Sequence, residues 1–229
     1  MDCGDNAHGV VEYESLFKIL TVNLTKTNFF VMAVITRLSQ LDPEGTYSYA
    51  DYLKWQFQER VELFRGKIFK MSPAPSIKHQ RVAFQLTKQM ADKLSGNPCE
   101  IFFAPFDVRL YNRKKSAKAN KDVFTVVQPD LCIVCDPVKL EDGQSCNGAP
   151  DLVVEILSPG NSKKEKKDKF ELYEEAGVRE YWLVEPSEDS VLIYVLNEAD
   201  RYIGLQPATE VAQSVIFPEL KVDLEKLFA

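Results

Sequence analysis

The sequence has no apolar run long enough to span a bilayer: the longest one near the N-terminus, Phe29–Ile35, is well short of the roughly 20 residues a membrane helix needs. That excludes a transmembrane anchor from the reading. No basic segment precedes this run and no small-residue cleavage pattern follows it, so a secretory signal is not expected, and the Asn23-Leu24-Thr25 sequon reads as chance. Cysteine is sparse and odd in number, with five scattered residues (Cys3, Cys99, Cys132, Cys135 and Cys146), which speaks against a disulfide framework and for a reducing compartment. The cytoplasm is the expected location. Cys132 and Cys135 form a CxxC, but in PDLCIVC, a strand-like run, where residues three apart face opposite sides. Two small side chains packing into a core fit that better than a thiol or zinc site. A surplus of positive charge is also missing: 28 Lys and Arg against 34 Asp and Glu give a net charge of −6, which excludes a protein that coats nucleic acid through charge alone.

What is present is ordinary globular composition, 45% hydrophobic and 27% charged, at a length of 229 residues that suits one domain with a proper core. Residues 1–31 show no clean periodicity and read as an appendage, native or otherwise, ahead of a second candidate start at Met32; a single domain is expected over 32–229. Within it, a short helix is predicted at 47–55, opened by Ser48, then a hairpin of VELF and KIFKM around Arg65-Gly66. A longer helix at about 76–94 carries Val82, Leu86, Met90 and Leu94 at helical spacing and ends at Gly96-Asn97-Pro98. Strands are expected at CEIFF, FDVRLY, PDLCIVC and DLVVEIL. They precede a helix at 162–176 with an apolar stripe of Phe170, Tyr173 and Ala176, stopped by Gly177. EYWLVEP, SVLIYVLN and RYIGLQP follow as strands, the last two as a hairpin, and DLEKLF closes as a short helix. Interleaved strands and helices make the class α/β or α+β, with a central mixed β-sheet.

Two basic runs stand out. RKKSAKANK (113–121) holds Arg113, Lys114, Lys115, Lys118 and Lys121 without an acid, and KKEKKDK (163–169) holds five lysines against Glu165 and Asp168. Each alone reads as a solvated face. Two on one small acidic domain point towards phosphate contacts.

Three residues break the rule that core elements are apolar. Asp130 opens the buried-looking run PDLCIVC, and Glu155 stands among Val153, Val154, Ile156 and Leu157. A buried carboxylate costs several kcal/mol unless it is paired or bound to a cation, so each requires a partner. One such acid would read as a buried ion pair or an edge-strand residue. Two, on strands about 25 residues apart that can be sheet neighbours, would make an all-oxygen pocket suited to Mg²⁺ or Mn²⁺. Lys169 is the third: it borders the inward stripe of its helix, and an ammonium there wants a carboxylate, with Glu155 on the strand just upstream.

An acid after proline, a second acid on a later strand, then Ser-Pro and a helix with an inward lysine resemble the PD-(D/E)XK nuclease superfamily. QPD (128–130), APDLVVEILSPG (149–160) and KFELYEEAGVREYWLVEP (169–186) are similar, more closely, to the Uma-two family of restriction-endonuclease-like proteins. VELFRGKIFKMSPAP (61–75) and His79-Gln80 match its N-terminal half, so the resemblance runs from about Tyr47 to the C-terminus. It implies a restriction-endonuclease-like mixed β-sheet flanked by helices, with a divalent-metal site. Asp130 and Glu155 would then be metal ligands, with the backbone carbonyl of Ile156 as a third oxygen. The standard motif has its lysine two residues after the acid, where this chain has Leu157; here, as in the family, Lys169 would supply the ammonium from the next helix.

Glu62 and His79 match further family positions. Glu62 would support the metal or Lys169, against the plainer reading of a surface strand acid. His79 sits on the inward face of its helix and would contact phosphate, against that of a hydrogen-bonded core histidine. Asp107 and Glu165 are weaker candidates. The function this implies is metal-dependent phosphodiester hydrolysis, with Mg²⁺ or Mn²⁺ as cofactor and nucleic acid, DNA ahead of RNA, as partner. No membrane partner is expected, and a homodimer is compatible with the reading. Two alternatives stay open: a nuclease-fold protein that binds nucleic acid without cutting it, and a glycosidase using Glu62 and Glu155 as an acid/base pair, which the scarcity of aromatic platforms beside those acids disfavours.

Overall fold

The computed structural model describes residues 34–71, 75–112, 119–160 and 162–229. The proposed appendage at 1–31 and most of the basic run at 113–121 lie outside these residues. Residues 34–229 form one compact unit. In chain order it contains α1 (Tyr49–Tyr52), β1 (Val61–Phe64), β2 (Lys67–Lys70), α2 (Ile77–Lys93), β3 (Glu100–Phe103), β4 (Asp107–Leu110), β5 (Thr125–Val127) and β6 (Leu131–Val134). There follow β7 (Ser145–Asn147), β8 (Leu152–Ile156), α3 (Lys163–Ala176), β9 (Glu180–Glu185), β10 (Ser190–Leu196), β11 (Tyr202–Gly204), β12 (Val211–Gln213), β13 (Lys221–Asp223) and α4 (Leu224–Phe228).

The principal sheet has six strands in the order β11-β10-β9-β8-β6-β3 and is mixed, because β8 and β9 run parallel while the other pairs are antiparallel. Its central strands are buried on both faces, as in helix-covered sheets. Along β6 and β8 the side chains alternate: Leu131, Ile133, Leu152, Val154 and Ile156 meet Val82, Leu86 and Met90 of α2, whereas Cys132, Val134 and Val153 meet Leu172, Tyr173 and Ala176 of α3. Glu155 therefore leaves β8 on the α3 side.

The sequence reading foresaw one sheet, and there is a second of five strands, β2-β1-β5-β4-β7, beyond α3. Its Phe64, Val108, Leu110 and Val127 close the core around that helix. The chain crosses from this sheet to the six-stranded one through Gln128-Pro129-Asp130, between β5 and β6, and crosses the other way through Ala104-Pro105-Phe106, between β3 and β4. A two-stranded pair, β12 and β13, was also unforeseen.

Local signals explain the element ends. The β1–β2 turn has positive φ at both Arg65 (50°) and Gly66 (82°), the twist a two-residue hairpin favours, and a Cβ on Gly66 would lie 2.6 Å from Thr46. Ser76 caps α2 by accepting from the His79 N–H, and Ser162 caps α3 by accepting from Glu165. Gly177, at φ 86°, stops α3. Three expectations need correction. The first helix is only one turn, Tyr49–Tyr52. The inward face of α3 is Lys169, Leu172, Tyr173 and Ala176, with Phe170 only partly buried. Cys135 does not merely pack, because the antiparallel register that pairs Glu100 with Val134 continues to bring Cys99 opposite Cys135, and the two form a disulfide across 36 residues of sequence. Cys132 is a free, buried thiol on the opposite face, as the alternation required.

Glu180, at the start of β9, has no solvent exposure and forms no ion pair among the described residues. Its carboxylate instead accepts from Trp182 Nε1 (2.5 Å), Ser214 Oγ (3.1 Å) and the backbone N–H groups of Val215 (2.9 Å) and Ile216 (3.0 Å), pinning the 214–217 loop to the sheet. Glu180→Ala strands four donors, two of them buried side chains, and unfolding in urea should show a loss of about 3 kcal/mol. A change below about 1 kcal/mol would mean that the loop rearranges to satisfy them.

Candidate active site

Where the two crossovers meet the open end of β8, a cleft of about 540 Å³ opens to solvent. All six residues singled out in the sequence line it: Glu62, His79, Asp130, Glu155, Ile156 and Lys169. The register explains the central pair. β6 pairs with β8 through Leu131 and Val154, so one residue further along the same ladder Asp130 falls opposite Glu155. The backbone ladder stops there, because the Asp130 side chain takes over as acceptor for the Ile156 N–H at 2.7 Å. The N–H and C=O of one strand residue point to the same side, and Leu157 on the other side donates to Val184 of β9, so the Ile156 carbonyl also faces the Asp130 side of the strand.

Lys169 reaches in from α3 and joins two acids from different sheets. Its Nζ donates to Glu155 Oε1 at 2.9 Å and lies 3.3 Å from Glu62 Oε1. Tyr173, one helical turn on, donates its hydroxyl to the same Glu155 oxygen at 2.6 Å, and the Gln128 N–H donates to Glu62 Oε1 at 2.8 Å. Glu62 is 1% exposed, and its second oxygen, Oε2, is buried without a hydrogen-bond partner among the described residues. His79 places Nε2 3.2 Å from Asp130 Oδ2, and its Nδ1 is likewise buried and unpartnered.

The charges follow from these contacts. Burial pushes the Glu155 carboxyl up, Lys169 pulls it back, and the neighbouring Asp130 and Glu62 carboxylates add to the rise. Burial works against the Lys169 ammonium, but Glu155 and Glu62 outweigh it and hold the amine protonated beyond the ordinary lysine range. His79 shows the same contest: burial favours the neutral ring, yet Asp130 wins and raises its pKa. Tyr173 is pushed well above the phenol range by burial and by Glu155, so it remains a donor. Around Lys169 the carboxylates of Asp130, Glu155 and Glu62 face one firmly held ammonium, and Arg60 and Glu165 also line the cleft.

A divalent cation fits this donor set. The oxygens are hard, the Glu62 Oε2 acceptor is buried with no donor among the described residues, and Mg²⁺ binds through one or two carboxylates while keeping several waters. Among the described residues no three His, Cys, Asp or Glu side chains form a closed metal cluster. Water must therefore complete any coordination shell.

The other candidates divide. Glu165 lines the cleft, whereas Asp107 does not; it accepts from Tyr52 and Gln128 behind the wall, where burial raises its carboxyl. The sequence places Tyr173 in the apolar stripe of α3 and does not disclose the role of its hydroxyl, although its position four residues after Lys169 is the available signal. Nor does it disclose the role of Gln128, whose backbone holds Glu62 while its side chain accepts from Arg60 at 2.8 Å. The first lysines of α3 stay on its solvated flank, with Lys167 near Glu171 and Lys166 near Glu185.

The mixed sheet with these carboxylates at its open end is that of a restriction-endonuclease-like nuclease fold. A crystal structure from Anabaena variabilis, described as a "putative nuclease belonging to DUF820", superposes with a TM-score of 0.61 over 80% of this chain and 97% of that one, at 19% identity. Residues 49–225 match the profile of the Uma2 family, described as "Putative restriction endonuclease", and the chain belongs to that family. Two uncharacterized proteins of Synechocystis sp. are 28% and 26% identical over 151 and 139 residues, covering 65% and 59% of this chain and 73% of each relative. Among the described residues no helix is long and apolar enough to cross a membrane.

Proposed function

We propose that this chain is a divalent-metal-dependent endonuclease that hydrolyses phosphodiester bonds, in DNA ahead of RNA, in the cleft where Asp130, Glu155 and Lys169 converge. The observation that carries the reading is the burial of one ammonium between Glu155 and Glu62 at the edge of a solvent-open cleft, directly beside Asp130. Glu180 serves as the internal control. It is an equally buried acid, both of whose oxygens accept from neutral donors and which does not line the cleft, and that is what a purely structural carboxylate looks like.

In this reading Asp130, Glu155 and the Ile156 carbonyl hold Mg²⁺ or Mn²⁺, which supplies Lewis-acid polarisation of the phosphate and a more acidic water. Hydrolysis joins a water oxygen to phosphorus as the bond to one ester oxygen breaks, the attacking water giving its proton to solvent and the leaving oxygen taking one from it. Lys169 enters as an ammonium, so it orients the water and offsets the charge growing on phosphate oxygens rather than accepting the proton. Tyr173 and Gln128 fix the two carboxylates that fix Lys169, and His79, held by Asp130, faces a phosphate oxygen. Residues 1–31 are read as an appendage to the domain that carries these residues.

The test is cleavage of supercoiled plasmid and single-stranded DNA and RNA with Mg²⁺, Mn²⁺ or a chelator. Nicking that requires the metal and vanishes with the chelator is the expected result; equal nicking with chelator present, or none under any condition, overturns it. A fold that binds without cutting is the second reading, favoured by the engagement of Glu155 Oε1 and Glu62 Oε1 by Lys169. It predicts Mn²⁺ binding too weak to detect by calorimetry, together with intact DNA.

A further inference from the structure

Two phenylalanines on the rim of this cleft are largely exposed. Phe84, on α2, is 65% exposed, and Phe103, the last residue of β3, is 63% exposed, yet both line the same cleft as Asp130 and Lys169. Neither ring packs against another aromatic ring among the described residues, whereas Phe102 stacks on Phe106 and Phe64 on Phe69 within the protein. Both are close to the candidate centre. Phe103 pairs with Leu131 in the β3–β6 ladder, and the next residue, Ala104, donates its N–H to the Asp130 carbonyl at 3.2 Å. Phe84 follows His79 by five residues on one helix, a rise of about 7.5 Å along its axis, and His79 touches Asp130.

We infer that Phe84 and Phe103 are stacking platforms for unpaired bases, so that the cleft takes single-stranded nucleic acid, or an unpaired stretch beside a duplex, in preference to intact duplex. The inference rests on the nuclease reading of the same cleft and names the state of its substrate. Paired bases stack on each other inside a helix and offer no face to a side chain; unpaired bases do, and every base has one. Stacking adds affinity that does not depend on charge, which matters for a chain of net charge −6, and it does so without sequence specificity. A protein partner covering both rings would sit across the mouth of the cleft beside Asp130 and close it to any substrate.

The experiment is fluorescence anisotropy with one labelled oligonucleotide, presented single-stranded or annealed into a blunt duplex, in chelator so that no cleavage intervenes. The full chain and its Phe84→Ala, Phe103→Ala and Phe84→Trp variants are titrated in parallel. The expected result is at least tenfold tighter binding of the single strand, a fall of about 5- to 100-fold in that affinity for each alanine variant, and recovery with tryptophan. Equal or tighter binding of duplex, no binding of either form, or alanine variants that both stay within twofold of the unsubstituted chain overturns the inference. So does sedimentation showing a dimer that Phe84→Ala dissociates, because the rings then serve a second copy. The two readings fail separately: metal-dependent nicking without single-strand preference removes the platforms and leaves the nuclease, while ring-dependent single-strand binding without nicking does the reverse.

Discussion

Lys169→Met should lower metal-dependent cleavage by about 10²- to 10⁴-fold while leaving Mn²⁺ binding intact or slightly tighter. The ammonium is the only cation in contact with Glu155 and Glu62 among the described residues, and at 7% exposure it is nearly sealed from water. Methionine keeps most of the length of the side chain and removes its charge, so two buried carboxylates are left facing each other with Tyr173 and the Gln128 N–H as their donors among the described residues. Breaking a buried pair from one side costs about 3–5 kcal/mol, because the remaining charge has no compensation. The variant should therefore melt well below the unsubstituted chain without metal and regain part of that loss with Mn²⁺, which returns positive charge to the cluster. Cleavage at the unsubstituted rate would remove Lys169 from the mechanism; a melt unaffected by the substitution would show that the acids are not ionised in the fold.

The centre of this site was legible in the sequence because its residues break a pattern: an acid inside an apolar strand and a lysine on an inward helical face are visible without a partner in view. The same logic overlooked Glu180, which begins a strand where an acid looks like a surface residue and whose donors at 214–216 lie some 35 residues away. Burial of an acid is thus not enough to mark a site; the unpartnered oxygen, the cation and the cleft are what separate Glu62 and Glu155 from Glu180. The second sheet was hidden for a different reason. β5 is three residues long, and the chain leaves it through Gln128-Pro129-Asp130 with no glycine turn to announce the change of sheet. A proline that reads as a strand boundary was in fact the crossover that delivers Asp130. The Cys99–Cys135 bond was hidden as well, since only the β3–β6 register brings the two together.

The two acids should answer differently from the lysine. Asp130→Asn and Glu155→Gln are both expected to abolish Mg²⁺-dependent cleavage and to weaken Mn²⁺ binding by tenfold or more, because each removes a formal charge from a donor set with few to spare. Their effects on the fold should differ from each other. Asp130 accepts the Ile156 N–H, and an amide oxygen can do the same, so Asp130→Asn should unfold within about 1 kcal/mol of the unsubstituted chain. Glu155 carries the shorter Lys169 contact, and its amide accepts from that ammonium as a neutral group, but Glu62 remains 3.3 Å away to hold the charge. A loss of about 1–2 kcal/mol follows, the difference between a charge-assisted and a neutral hydrogen bond. The measurement is thermal melting with and without Mn²⁺ beside plasmid cleavage for all three variants. The expected pattern is a crossed one, with the acid variants folded, blind to Mn²⁺ and inactive, and Lys169→Met unstable, rescued by Mn²⁺ and inactive. Mn²⁺ stabilisation of both acid variants equal to that of the unsubstituted chain would remove Asp130 and Glu155 as ligands, and the cation would have to be sought elsewhere in the fold.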